Sequence, residues 1–297
     1  MINQEQAKQM SQDPGFVAAL DQSGGSTPKA LSLYGIGSDR YSNDEEMFAL
    51  IHEMRSRIMR ASAFQGDKVI GAILFENTMD RRVDGKLAAD YLWEHRGIVP
   101  FLKVDKGLTD EKNDAQVLKP MPELNALLER AKKANIFGTK MRSVIHRANS
   151  AGVEAVVSQQ FEIGRRILSH GLVPIIEPEV NIHAKDKHAA EDLLLDSLNV
   201  HLDALDDGAG VMLKLTLPEN NNQYKSLAEH PRVMRLVALS GGYSREEANA
   251  RLAKNTKMIA SFSRALTEGL NENQSDAEFE RILGKAIDDI SAASYAG

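Results

Sequence analysis

The 297-residue chain predicts an α/β protein folded as one (β/α)8 TIM barrel. Three observations predict it. Eight short apolar runs alternate with amphipathic stretches along the chain, the pattern of parallel strands joined by helices. Neither G-x-G-x-x-G nor G-x-x-x-x-G-K-[ST] occurs, which removes the usual open nucleotide-binding sheets. No low-complexity tract, Pro/Gly/Ser-rich linker or strong repeat divides the chain, so residues 1–297 are expected to form a single domain.

The eight runs are residues 16–20, 69–75, 98–104, 136–140, 172–176, 210–215, 233–239 and 258–262. Continuous apolarity without alternation suits strands covered on both faces. Between the runs, Met47, Leu50, Ile51, Met54 and Ile58 share one helical face of residues 45–61. Ser42 and Glu45 precede that face with capping-box spacing. Pro122 suits a helix start, with Leu124, Leu127, Leu128 and Ala131 on its apolar side. Residues 153–169 carry Val157, Gln160, Phe161, Gly164 and Leu168 on one face, and Gly171 follows as a stop. Leu194, Leu198, Leu202 and Leu205 form a stripe within 187–206. Ser244 with Glu247, and Ser275 with Glu278, repeat the capping-box spacing. The second pair opens a helix that turns Phe279, Ile282, Leu283, Ala286, Ile287 and Ile290 inward. Segments 22–44 and 105–121 are long connections after strand C-termini, the face where barrels build their sites.

Composition narrows the function. Hydrophobic residues make up 42% of the chain and charged ones 26%, enough for a sizeable core. A net charge of −6 argues against a nucleic-acid binder, which needs clustered Lys and Arg, yet leaves room for a local anion site. With no cysteine, disulfides, thiolate catalysis and Cys-based metal sites are excluded. The eight His show no metal-binding spacing, so no metal and no cofactor are expected. The N-terminus has no signal-like apolar run and no segment reaches membrane length, so a cytoplasmic protein is expected.

Ionisable residues interrupt or end strands that should be apolar: Asp21, Lys103, Lys140, Glu177 and Lys214. The two-residue strand period sharpens the pattern. Lys214 shares a face with Met212 and Thr216, Lys140 with Arg142, Glu177 with Glu179, and Lys103 with Asp105. If these faces look into the barrel mouth, cations and carboxylates converge there, as an anionic substrate and acid–base chemistry require. One Lys at a strand end ordinarily snorkels to solvent. Five charged strand ends need another explanation, either a structural ion-pair network or a site. Lys214 lies between Leu213 and Leu215, and neighbouring cations would favour the neutral amine a Schiff base needs. Ser240-Gly241-Gly242 follows the seventh run and can present backbone N–H groups to a phosphate, with Arg264 after the eighth run as the cation. A plain turn and a surface Arg would read the same way in isolation. The loop from Asp21 to Ser26 is a second polar, flexible segment suited to an anion.

Eight segments together resemble the class I fructose-1,6-bisphosphate aldolases, in the compact bacterial form. They are LDQSGGS (20–26), AILFENT (72–78), VPFLKVDKG (99–107), TKMR (139–142), VPIIEPEV (173–180), MLKLTLP (212–218), LSGG (239–242) and SFSRAL (261–266). They run in the family's order across nearly the whole chain. The resemblance implies metal-independent aldol cleavage of fructose 1,6-bisphosphate into dihydroxyacetone phosphate and glyceraldehyde 3-phosphate, within glycolysis and gluconeogenesis. It also implies sugar-phosphate partners and a homo-oligomer. Residue by residue, Lys214 matches the Schiff-base lysine, Glu177 the acid–base glutamate, Glu179 its neighbour and Lys140 the second lysine. Asp21 and Lys103 match residues around the reacting carbons, and Arg142 one near the distal phosphate. Ser240, Gly241, Gly242 and Arg264 match the phosphate site beside the Schiff base, and Ser23 and Ser26 the loop at the other phosphate. Tyr295 stands where many members carry a C-terminal proton-donating tyrosine. Gln22 stands where many carry Glu, and ENT (76–78) where many carry HET. The implied mechanism leaves both Asp21 and Glu177 as candidates for the base at the C4 hydroxyl. Rival readings are another Schiff-base aldolase or transaldolase, or a non-catalytic barrel scaffold.

Overall fold

The eight runs close on one another. In a computed structural model, which describes residues 2–296, they form strands β1 (Phe16–Leu20), β2 (Val69–Leu74), β3 (Val99–Lys103), β4 (Gly138–Ile145), β5 (Val173–Val180), β6 (Val211–Thr216), β7 (Val233–Leu239) and β8 (Met258–Phe262). Each is parallel to its neighbours. Their order is β3-β2-β1-β8-β7-β6-β5-β4, and β3 pairs with β4 to close the ring. This is the expected (β/α)8 barrel.

The helices are α1 (Gln4–Gln12), α2 (Thr27–Leu33), α3 (Asp44–Arg60), α4 (Ala88–Arg96), α5 (Leu124–Lys133), α6 (Ser150–Ser169), α7 (Lys187–Asp203), α8 (Arg245–Leu252) and α9 (Asp276–Ala296). The crossover from β6 to β7 contains only a helical turn, Lys225–Ala228. No described helix is long and apolar enough to cross a membrane.

Two apolar layers follow from the strand period. Outward residues such as Leu20, Leu74, Leu102, Ile176 and Leu213 pack under the helices. Inward residues Val17, Ile73, Phe101, Ile175, Met212, Val237 and Ile259 fill the barrel. Burying each such side chain contributes roughly 1.5–3 kcal/mol. The bottom of the barrel is closed by α1, which the N-terminal sequence did not announce because few of its residues are apolar. Asn3 caps it, accepting from the amides of Glu5 and Gln6 at 3.0 and 3.2 Å. Met10 enters the inner cluster, and Gln9 donates to the carbonyls of Ile70 and Gly97 at 2.9 and 2.7 Å.

Several boundaries differ from expectation. β4 begins two residues late and runs on to Ile145, and β5 runs on to Val180. The two strands pair continuously from Gly138 opposite Val173 to Ile145 opposite Val180, so the ladder outlasts the apolar pattern. The cap of α3 is Asn43 rather than Ser42. Asn43 Oδ1 accepts the Glu46 amide at 3.0 Å, and the Glu46 carboxylate accepts the Ser42 amide at 2.6 Å. α5 starts at Leu124, two residues beyond Pro122. α6 starts earlier than expected because Asn149 caps it, and α7 ends at Asp203. Ser244 and Ser275 do cap their helices, accepting the amides of Glu247 and Glu278, each at 3.3 Å.

Candidate active site

The charged strand ends meet. A cavity of about 650 Å³ opens at the C-terminal end of the barrel, a size suited to a small phosphorylated sugar. Asp21, Ser23, Ser26, Lys103, Lys140, Arg142, Glu177, Glu179, Lys214, Ser240, Gly241 and Arg264 all line it. Parallel register explains the convergence. Lys103 lies opposite Lys140, and Arg142 opposite Glu177, on adjacent strands.

Glu177 sits between two lysines. Its Oε1 is 3.2 Å from Lys214 Nζ and its Oε2 is 3.0 Å from Lys140 Nζ. Lys140 Nζ also lies 2.5 Å from Asp21 Oδ2. All four side chains are 8% exposed or less, so these charges act with little solvent screening. Burial alone would raise the Asp21 carboxyl, but Lys140, Lys214 and Lys103 bring it down to about 2. Burial alone would lower Lys140, but Asp21, Glu177 and Asp105 outweigh it and raise the group above its ordinary value. Burial does lower Lys103, against the pull of Asp105. Lys103 Nζ donates to Asp105 Oδ1 at 2.6 Å and to its carbonyl at 3.0 Å. Arg142 donates to Glu179 Oε2 at 2.8 Å.

Two loops around the mouth suit anions. After β7, the turn 240–243 is closed by the Tyr243 amide donating to Ser240 O at 2.9 Å. Gly241 and Gly242 have φ of +61° and +123°, which disfavour any side chain. The Arg264 guanidinium stands over Gly242: a Cβ there would lie 3.4 Å from its Nη2. After β1, Ser26 Oγ accepts the Ser23 amide at 3.0 Å, and Lys29 on α2 also faces the cavity.

Tyr295 is not brought to this site. It lies near the end of α9, 55% exposed, and does not line the cavity. Among the described residues, no group of three or more His, Cys, Asp or Glu is arranged to hold a metal ion.

The comparisons with known proteins point one way. A family model described as fructose-bisphosphate aldolase class-I matches residues 3–217. A fructose-bisphosphate aldolase class 1 from Synechocystis is 59% identical over 292 residues, covering 98% of this chain and 97% of that protein. One from Porphyromonas gingivalis is 57% identical over 293 residues, covering 99% of each. The chain belongs to the class I fructose-bisphosphate aldolases. A solved Plasmodium falciparum fructose-bisphosphate aldolase, in complex with TRAP and a small-molecule inhibitor, shares the fold. It has a TM-score of 0.79 at 20% identity, covering 98% of this chain and 93% of that one.

Within this aldolase, one buried cation next to the site escaped the sequence reading. Arg55 lies on α3 one turn from Ile51 and Ile58, inside the apolar stripe, and is fully buried. It donates to Thr78 Oγ1 at 2.7 Å, and to the carbonyl and side-chain oxygens of Gln22 at 2.5 and 3.1 Å. Gln22 in turn donates to Ser263 Oγ at 2.8 Å, tying the loop after β1 to the residue before Arg264. Burial brings the Arg55 guanidinium down to about 10, with Asp21 opposing. The available signal was its spacing: an Arg at i+4 from Ile51 and i−3 from Ile58 faces inward.

Proposed function

We propose that this aldolase cleaves fructose 1,6-bisphosphate through a Schiff base on Lys214. The observation that carries the reading is Glu177, buried with one oxygen 3.2 Å from Lys214 Nζ and the other 3.0 Å from Lys140 Nζ. Such a carboxylate can accept a proton from one amine while a fixed positive charge stabilises its anion.

Glu177 takes a proton from Lys214, and the free amine attacks the substrate ketone at C2. The resulting carbinolamine oxygen is protonated and leaves as water, giving an iminium. Asp21 or Glu177 removes the C4 hydroxyl proton, the C3–C4 bond breaks, and its electron pair passes into the iminium as an enamine. Glyceraldehyde 3-phosphate departs. Protonation at C3 and attack of water on the iminium release dihydroxyacetone phosphate and restore Lys214. Lys140 holds positive charge beside Glu177 and Asp21 throughout. Ser240, Gly241, Gly242 and Arg264 bind the phosphate next to the imine. Ser23 and Ser26 bind the other, with Arg142, held by Glu179, near it, and Lys103 stands with Asp21 around the reacting carbons. The reading includes one catalytic domain over residues 1–297 that works as a cytoplasmic homo-oligomer, for which a sedimentation measurement on purified protein is the check.

The deciding experiment is borohydride trapping with dihydroxyacetone phosphate. The reduced secondary amine is expected on the peptide containing VMLKLTLPE. Lys214→Met is expected to lose labelling and turnover with its circular dichroism unchanged. Lys214→Arg is expected to fail too, because a guanidinium stays charged. Labelling on Lys103 or Lys140 would move the nucleophile.

A further inference from the structure

The β5–β6 ladder stops where the chemistry begins. β5 pairs with β6 only at Ile175 opposite Met212 and Ile176 opposite Leu213. On their other sides the same strands stay paired, β5 with β4 as far as Val180 and β6 with β7 as far as Thr216. β5 and β6 rejoin through a side chain, Thr216 Oγ1 donating to the Val180 carbonyl at 2.8 Å. Glu177 and Lys214 therefore stand in a local opening between two strands that are otherwise held firmly.

One side chain fills the hydrogen-bonding vacancy at the start of that opening. Gln160, on α6, is fully buried, and its Oε1 accepts the Glu177 amide at 2.8 Å. Its Nε2 is buried without a hydrogen-bond partner. A glutamine that leaves a buried N–H₂ unpaired is costly for packing alone, since that group loses its water without compensation. The position demands the acceptor rather than the amide as a whole. Close approach of the helix makes the reach possible: a Cβ on Gly164, one turn along α6, would lie 3.1 Å from Ile176 Cδ1.

We propose that Gln160 is a positioning residue for aldol cleavage. It anchors the Glu177 backbone where the β5–β6 ladder ends, and so sets the Glu177 carboxylate against Lys214. The proposal rests on the roles given above to Glu177 and Lys214. Without the acceptor, the Glu177 amide would seek the neighbouring strand or water, and the carboxylate would shift with it. Steps in which Glu177 moves a proton depend on that placement, whereas phosphate binding by the loops after β1, β7 and β8 does not.

The test compares Gln160→Met, which keeps the length and removes the acceptor, with Gln160→Glu, which keeps an acceptor oxygen. Glu177→Gln and wild type serve as controls. For Gln160→Met, kcat on fructose 1,6-bisphosphate is expected to fall about tenfold to a hundredfold, the scale of a displacement near 1 Å. KM should stay within about twofold, since the phosphate contacts are untouched. The rate of borohydride-trappable imine formation on Lys214 should fall with kcat. Gln160→Glu should recover most of the lost rate. If the Met variant does not fold, Gln160→Asn keeps the amide but falls short of Glu177 and must show the same kcat loss. Wild-type kcat and trapping rate in Gln160→Met, or in Gln160→Asn, with Glu177→Gln inactive would overturn the role of Gln160 and leave the mechanism standing. Equal kcat loss in the Met and Glu variants would overturn it as well, since the acceptor would then be irrelevant. Wild-type kcat in Glu177→Gln would overturn the mechanism itself.

Discussion

Asp21→Asn tests whether the buried charges hold the barrel mouth together. The Asp21 carboxyl sits 2.5 Å from Lys140 Nζ, and Lys140, with Lys214 and Lys103, lowers it from 3.8 to about 2 against the opposing effect of burial. One pKa unit corresponds to about 1.4 kcal/mol, so the ionised carboxylate contributes roughly 2 kcal/mol to folding at neutral pH. The folded value is the depressed one. The unfolded chain therefore takes up this proton first as pH falls. The contribution is complete above 3.8 and is lost as pH drops through about 2. Seen from Lys140, whose value is raised, the same attraction is fully present below 10.5 and is lost only as pH climbs through its folded value above that. Urea unfolding of wild type and Asp21→Asn should therefore differ by roughly 2 kcal/mol between about pH 5 and 8, with the gap narrowing only in strong acid. A gap that closes between pH 7 and 5 would refute the assignment of this shift to Asp21. An Asn variant as stable as wild type at pH 7 would show that desolvation of the pair cancels its attraction.

Two further outcomes are expected. Arg264→Ala should weaken dihydroxyacetone phosphate binding by about 1.5–3 kcal/mol, the usual value of a charge-assisted hydrogen bond, and unchanged calorimetric affinity would move the phosphate elsewhere. Turnover should survive exhaustive EDTA treatment, whereas full loss with recovery on adding zinc would sink the imine mechanism.

Much of the barrel was legible because strands covered on both faces must be apolar. β1, β7 and β8 coincide with their runs residue for residue. The expected ends of β4 and β5 fell short because each strand carries charged residues within the ladder. Arg142 and Ser143, and Glu177 to Glu179, break the apolar pattern while the backbone pairing continues. The interruption that hid the strand ends also marked the site. Lys103, Lys140, Glu177 and Lys214 stood out because charge in a buried strand has to be accounted for, and all four line the cavity.

What the sequence alone determined is therefore local: which residues pair as strands, which face each side chain takes, and which charges share a face. Periodicity carries that information because strand and helix geometry repeat every 2 and 3.6 residues. Only the tertiary structure decided which faces meet. It turned an unremarkable N-terminal helix into the plug of the barrel and buried Arg55 against the loop of Gln22. It left Tyr295 away from the cavity and brought Gln160 to the amide of Glu177. These outcomes depend on contacts between residues far apart in the chain, set by ring closure and helix docking, and no local period encodes such distances.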